Sequence, residues 1–326
     1  MRKRQFGALA LGLIAAAAIV VSTPKTSAQQ AWPTRPVKLI LTLGPASGAD
    51  IAARLLADRL AQRWGQPVIV ENRPGGDGIV AINAFVTAHD DHVLLFAPTS
   101  SFTAHPFLHE NLPYKPADLV PITRVSNTIV AISVPASLNV ASLDQLVALA
   151  RAQPGKLNWA GLTGALDFLL AGWLQQENLN ITKVAYKNPV DAANDVAEGR
   201  VQLYESAYAI VRPQVETGKI KVLAVTNTVP PSEPKVPTVT QAGYPALTVD
   251  GLVGFFGPSG MPRELRDRIT ADVRAVADDT IKERLAATGQ LVNIGGPDEF
   301  AKSIEEQRSQ VAKFAEQLGI KPLPQN

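Results

Sequence analysis

The sequence predicts an α/β protein built as a two-domain clamshell, two βαβ lobes with a ligand cleft between them. Three observations predict it. Short apolar runs alternate with amphipathic stretches, the rhythm of parallel βαβ units. The rhythm occurs twice, once on each side of residue 126. The last 60 or so residues then carry three helical patterns with no recognisable strand among them, and such helices need a sheet to cover. Placing them on the first unit makes the chain cross between lobes twice, near 124–128 and near 248–256. Residues 29–126 and 250–326 then form domain 1, and 127–249 form domain 2. Two lobes joined by two crossovers form a hinge that closes on a ligand at the strand ends.

The elements follow in order. "VKLILTL" (37–43) reads as a strand buried on both faces. Ile51, Leu55, Leu56, Leu60 and Trp64 share one side of a helix that stops at Gly65. "PVIVEN" (67–72) is a strand and "RPGGDG" (73–78) a turn; a helix then runs to about His89, and "HVLLFAP" (92–98) is a third strand. The second unit opens with "TIVAISV" (128–134). Ser142 with Gln145 three residues later is a capping-box pattern, and Pro154-Gly155 closes that helix. "KLNWAG" (156–161), a helix to about Gln176, "ITKVAY" (181–186), a helix ending at Gly199, "VQLYES" (201–206) and "IKVLAVT" (220–226) complete it. The Pro-rich stretch 226–246 is surface loop with one helical turn, and 247–262 is extended. The closing helices span about 262–277, 280–288 and 297–317.

Bulk properties narrow the function. The chain has 326 residues, 46% hydrophobic and 18% charged, an ordinary globular composition with room for two domains. The absence of cysteine excludes disulfides, thiolate catalysis and zinc-thiolate sites. Residues 1–28 have the anatomy of a secretory signal peptide: Arg2, Lys3 and Arg4, an apolar stretch from about Ala8 to Val21, then a small-residue cleavage region at Thr26-Ser27-Ala28. The apolar stretch is short for a membrane span, which takes roughly 20 residues. Losing Arg2, Lys3, Arg4 and Lys25 takes the formal net charge from +2 to −2. No basic patch then argues for nucleic acid or an anionic membrane.

The loop between the first strand and the first helix stands out. Gly44, Pro45, Ala46, Ser47, Gly48, Ala49 and Asp50 are all small or turn-forming, and so many small residues let another molecule approach the backbone. Ser47 can cap the helix while Asp50 reaches back to the Ser47 amide. The remaining N–H groups, with the helix dipole, make an anion site. The second unit repeats the design in "AGLTGALDF" (160–168), where Leu162, Thr163, Gly164 and Ala165 precede a helix. Two such helix starts across a cleft suit a ligand with two negative ends, and neither loop contains a Lys or Arg of its own. Ser100 and Ser101 follow the third strand and join the expected lining, as do Tyr186, Tyr204 and Ser206; Tyr208 is an alternative wall.

Other chemistry is poorly supported. "GPASG" is not G-x-S-x-G, no G-x-G-x-x-G occurs, and no Walker lysine follows either loop. A secreted hydrolase with Ser47, Ser100 or Ser101 as nucleophile needs a placed base, and the histidines at 89, 92, 105 and 109 carry no triad signature. A metal-binding receptor would use His89 and His92 with Asp90 and Asp91, or His105 with His109. Neither pair has a complete ligand set in the sequence, so both read as solvated helix-end or loop histidines.

The ordered motifs carry a resemblance. They are "WPTRPVKLIL" (32–41), the Pro45–Asp50 loop, "GQPVIVENRPGGDG" (65–78), "NLPYKPADLVPITRV" (111–125), "QPGKLNWAG" (153–161), "EGRVQL" (198–203), "GKIKVLAVT" (218–226), "VPTVTQAGYP" (236–245) and "GPSGMP" (257–262). With these the chain resembles the Bug-type (TctC-like) substrate-binding proteins of tripartite tricarboxylate transporters, over nearly all of its length after the signal segment. The resemblance implies a periplasmic-binding-protein-like fold and a periplasmic, non-enzymatic receptor. Its implied partners are a small organic carboxylate and the integral membrane components of the transporter. No cofactor is implied, and a monomer is expected. The loops matching Gly44–Asp50 and Gly161–Asp167 are implied to hold the carboxylate through backbone groups and bridging water. The chain departs from the family in three places. The usual P-G-G-x-x-D loop is Pro45-Ala46-Ser47-Gly48-Ala49-Asp50, the second loop is more apolar at Leu162, Ala165, Leu166 and Leu169, and Ser206 stands near where many members carry an acid. These departures favour a ligand with an apolar middle, such as a medium-chain or aromatic acid.

Overall fold

The computed structural model describes residues 32–162 and 164–324. The expected signal peptide and Thr163 lie outside the described residues. β1 (Val37–Leu41) is a buried apolar run, and α1 (Gly48–Trp64) follows it, ending on Gly65 in a left-handed cap. β2 (Val68–Asn72), α2 (Ile79–Ala88) and β3 (Val93–Pro98) continue the alternation. α3 (Thr99–Leu108) starts directly after β3, where no helix is expected from the sequence. β4 (Val120–Thr128) leads through Ile129 into β5 (Val130–Pro135). α4 (Leu143–Ala152), β6 (Leu157–Gly161), α5 (Ala165–Gln176), β7 (Ile181–Ala185) and α6 (Pro189–Ala197) fall where expected. β8 (Leu203–Ala207), α7 (Tyr208–Glu216) and β9 (Ile220–Val225) come next, α7 being another helix that sequence patterning does not single out. β10 (Gly251–Gly257), α8 (Arg263–Val276), α9 (Asp279–Ala286), β11 (Gln290–Gly295) and α10 (Pro297–Gln317) close the chain.

Two mixed sheets result, one six-stranded in the order β11-β4-β10-β3-β1-β2 and one five-stranded in the order β7-β6-β8-β5-β9. β1 pairs in parallel with β2 and β3, and β6 with β7 and β8. β4, β10 and β11 run antiparallel to their neighbours. The expectation that only helices follow residue 262 is therefore corrected, since β11 adds an edge strand to the first sheet. Its partner β4 has no alternating apolar pattern. Instead the buried Thr123 and Arg124 are satisfied across the pair, Thr123 Oγ1 donating to Gly295 O at 2.8 Å and Arg124 Nε to Asn293 O at 2.9 Å.

Each sheet has its own apolar core. Ile40, Ile82, Phe85, Leu95, Phe256 and Phe300 pack in the first, and Ile132, Leu146, Trp159, Trp173, Leu203 and Leu223 in the second. The chain passes between the sheets at Ile129 and again between Val225 and Gly251, so the first passage falls just past the expected 124–128. The two passages are tied together by Asn227. Its Oδ1 accepts from Val130 N at 3.0 Å and its Nδ2 donates to Thr128 O at 2.9 Å. α10 packs on the first sheet through Phe300 and also against α5 through Val311 and Phe314. No helix among the described residues is long and apolar enough to cross a membrane.

Candidate functional site

The first loop is built by its helix. Ser47 is the N-cap of α1, its Oγ accepting from Asp50 N at 3.2 Å. Asp50 folds back, but onto the Ala46 amide rather than the expected Ser47 amide, with 2.9 Å from Ala46 N to Oδ2. The reason is the left-handed backbone at Ala46, φ 65, which turns that N–H toward the helix. A left-handed alanine costs energy that glycine avoids, which accounts for the glycine of the usual P-G-G loop. Asp50 is buried, and its charge is met from two sides: Arg54 Nε lies 3.1 Å from both oxygens and Asn72 Nδ2 donates to Oδ1 at 2.8 Å. Burial opposes the ionised form, but the hydrogen bonds from Arg54, Asn72 and the Ala46 amide outweigh it and hold the carboxyl below its ordinary range. Gly48 N and Ala49 N have no hydrogen-bond partner among the described residues, so two donors remain at the start of a 17-residue helix.

The second loop uses the same device. Asp167 stands in the first turn of α5, as Asp50 does in α1. Its Oδ1 accepts from Leu162 N at 2.9 Å and its Oδ2 from Lys183 Nζ at 2.5 Å. Lys183 Nζ lies 5.2 Å from the centre of the Trp159 ring. Gly164 precedes the helix at φ 90, a conformation open to glycine. The expectation of loops without their own Lys or Arg stands as worded, but Arg54 and Lys183 reach in from outside and neutralise both aspartates. Sequence patterning missed these two and Asn72. The asparagine sits inside the quoted "ENRPGG" stretch, but nothing local tells that it faces Asp50.

The other candidates are scattered. Ser100 and Ser101 lie in the first turn of α3. Tyr186 adjoins the second loop, its N–H donating to Gly161 O at 2.8 Å, while its hydroxyl donates to Asp195 at 2.5 Å. Burial, with that hydrogen bond, pushes the Tyr186 phenol up to about 12. Tyr204 is fully buried among Ala160, Ala192 and Val196 in this conformation. Ser206 is buried as well, its Oγ 3.4 Å from Ala207 O. The neighbouring Glu205 is the unforeseen residue. It is 5% exposed, and neither carboxylate oxygen has a hydrogen-bond partner among the described residues. Burial, with the negative charge of Asp167 nearby, pushes its carboxyl well above the ordinary range.

The turn before β11 connects the first loop to the β8–α7 junction. A Cβ on Gly48 would lie 2.8 Å from Gln290 Nε2, and one on Gly289 3.6 Å from Ala209 Cβ. Ile129 N donates to Gly289 O at 2.8 Å, and Tyr208 N donates to Ile129 O at 2.8 Å. Elements from both sheets thus meet beside the first helix start.

Two α/β sheets joined by paired crossovers, each sheet with a latched helix start, define a periplasmic-binding-protein-like clamshell. The chain matches the tripartite tricarboxylate transporter family receptor model over residues 52–320, and it belongs to that family. It is 29% identical to a UPF0065 protein of Bordetella bronchiseptica, over 95% of this chain and 93% of that one. It is 27% identical to Protein BugT of Bordetella pertussis, over 95% and 98% respectively. Among solved structures, R. palustris Rpa4515 with adipate aligns at a TM-score of 0.76 with 27% identity, covering 90% of this chain and all of that one.

Proposed function

We propose that this chain is a periplasmic solute receptor that captures a small dicarboxylate with an apolar body and delivers it to the membrane components of a tripartite tricarboxylate-type transporter. Residues 1–28 serve as the export signal, and the mature receptor acts as a monomer without enzymatic activity or cofactor. Residues 29–126 with 250–326 form one lobe and 127–249 the other, and the lobes close about the crossovers held by Asn227. The observation that carries this reading is the duplicated helix start, each latched by an aspartate whose charge a cation cancels. A fixed loop of neutralised polarity leaves backbone donors to meet an anion, without a full ion pair. Gly48, Ala49, Gly164 and Ala165 line the donor positions, and Leu162 and Leu166 offer an apolar wall. The adipate named with the R. palustris relative has this form, two carboxylates on a methylene chain.

The test is a thermal-shift panel of mono- and dicarboxylates on purified mature protein, adipate and citrate included. A ligand that binds the native state raises its melting temperature in proportion to RT ln(1 + [L]/Kd). A shift for apolar diacids that exceeds the shift for citrate is expected. A panel in which no carboxylate shifts the transition counts against the receptor reading, and a larger shift for citrate against the apolar body alone.

A further inference from the structure

The geometry points to a transition-metal site in the first lobe, formed by Asp77, His105 and His109 and suited to a zinc-class dication. His105 lies in the last turn of α3 and His109, four residues on, is its extended C-cap, with His109 N donating to His105 O at 3.0 Å. Their centres are 5.1 Å apart at 87°. The fold supplies the third ligand that the sequence spacing lacks. Asp77 comes from the single turn at Gly76–Gly78, 28 residues before His105. Its Oδ2 lies 3.5 Å from His105 Nε2 and 3.9 Å from His109 Nε2, and the three ligand atoms all lie within 4.8 Å of one another. Zn–N and Zn–O bonds of about 2.1 Å at a tetrahedral centre put neighbouring ligand atoms about 3.4 Å apart. The two measured separations exceed that by no more than about half an ångström, within the reach of a small χ rotation.

The surroundings fit a metal ligand set. His105 is fully buried, and its Nδ1 is engaged by the Tyr114 hydroxyl, which fixes the ring and turns Nε2 toward Asp77. A ligating imidazole held at its other nitrogen is the usual outer-shell arrangement. The Asp77 carbonyl oxygen accepts from the same Nε2 at 3.0 Å, a hydrogen bond that a metal on Nε2 would replace, with the ring hydrogen moving to Nδ1 and the Tyr114 hydroxyl as its acceptor. The Asp77 and His109 side chains are 20% and 34% exposed, while the ligand atoms Asp77 Oδ2 and His109 Nε2 are themselves buried, so an ion enters by a side-chain rotation at the surface. Asp77 is held at φ 55, a left-handed conformation rare for a non-glycine residue, and that conformation places its carboxylate under α3. Two imidazoles and a carboxylate select Zn2+ or Ni2+ over Mg2+ and Ca2+, which take oxygen ligands. A second His/Asp group, Asp90, Asp91 and His92, lies elsewhere in the first lobe, with His92 Nε2 accepting from Thr34 N at 3.1 Å and Asp90 paired with Arg35 at 2.6 Å. A metal at Asp77 would tie the turn after β2 to α3, both within the first lobe, without touching either carboxylate loop.

The site is tested by calorimetry with Zn2+ on tag-free, chelator-treated protein, and by the melting temperature with and without the metal. Saturable one-to-one uptake and a raised melting temperature are expected. His109→Ala and Asp77→Asn should each weaken uptake at least tenfold; asparagine tolerates the left-handed backbone and keeps the turn. Asp91→Asn, at the other group, should leave uptake unchanged. X-ray absorption on the zinc-loaded wild type, expected to show two imidazoles, decides the case independently of whether a variant folds. Absence of saturable uptake, unchanged uptake in His109→Ala or Asp77→Asn, or loss of uptake in Asp91→Asn overturns the assignment.

Discussion

Three carboxylates near the helix starts behave differently because of what surrounds them. Asp50 and Asp167 commit both oxygens to loop amides and to a cation, so each fixes its loop. Glu205, buried and without a hydrogen-bond partner among the described residues, has its carboxyl pushed well above the ordinary range and so holds its proton to higher pH in the folded state. The sign of its linkage follows. Above its unfolded value of 4.5 the unfolded chain has released that proton while the folded chain still holds it. Stability from this group is therefore greatest below the unfolded value and falls as pH rises toward the folded one. A change of about 1 kcal/mol moves the melting point of a domain of roughly 150–250 residues by about 2–4 °C. Glu205→Gln is expected to melt higher than wild type at pH 8, with the gap closing at pH 5. A gap independent of pH would mean that Glu205 is ionised in the fold. The acid was visible in the sequence one residue before Ser206, but strand alternation alone did not say that its neighbours leave it without a donor.

At the scale of elements, most of the fold was legible because most of it follows hydrophobic period and cap chemistry. α1 ends at Gly65, α4 is capped by Ser142 through Gln145 N, and α5 ends at Gln176, as the patterns predict. Four elements were not legible, for identifiable reasons. β4 and β11 bury polar side chains that satisfy each other only after pairing, Ser126 Oγ donating to Gln290 Oε1 at 2.9 Å for example. α3 and α7 each contain a proline, Pro106 and Pro213, which reads as a break in the sequence. The capping aspartates were legible as residue types, whereas Arg54, Asn72 and Lys183 became site residues only through tertiary contact. Close packing of α5 on α10 was likewise hidden. A Cβ on Gly172 would meet Phe314 Cδ1 at 2.1 Å and Phe314 Cβ at 2.9 Å, so the whole base of that ring blocks it. Alanine in a helix gains about 1 kcal/mol over glycine, but overpacking costs about 1–3 kcal/mol. Gly172→Ala is expected to lower stability in urea unfolding by about 1 kcal/mol, and a more stable variant would show that the helices can move apart freely.

At the scale of the whole molecule, the two sheets are linked by the Asn227 clamp, the turn at Gly289, α10, and the packing of α3 on α5 through Phe107 and Phe168. α10 follows the second crossover, Gln307 Nε2 donating to Asp250 O at 3.3 Å and Gln310 Nε2 to Thr248 O at 3.0 Å. A hinge held at one side leaves the opposite strand ends able to approach, which is the motion a clamshell receptor needs. In the proposed function the two helix starts set what it closes on, by binding negative charge through fixed N–H donors. A hydrogen bond to a charged acceptor is worth about 1.5–3 kcal/mol, so replacing a carboxylate by an amide of the same shape should weaken binding at least tenfold. The most direct measurement is titration calorimetry of the mature protein with adipate and, separately, with its neutral diamide. Saturable binding of the diacid, with the diamide at least tenfold weaker, is the expected result; equal affinity for the two would contradict the anion clamp.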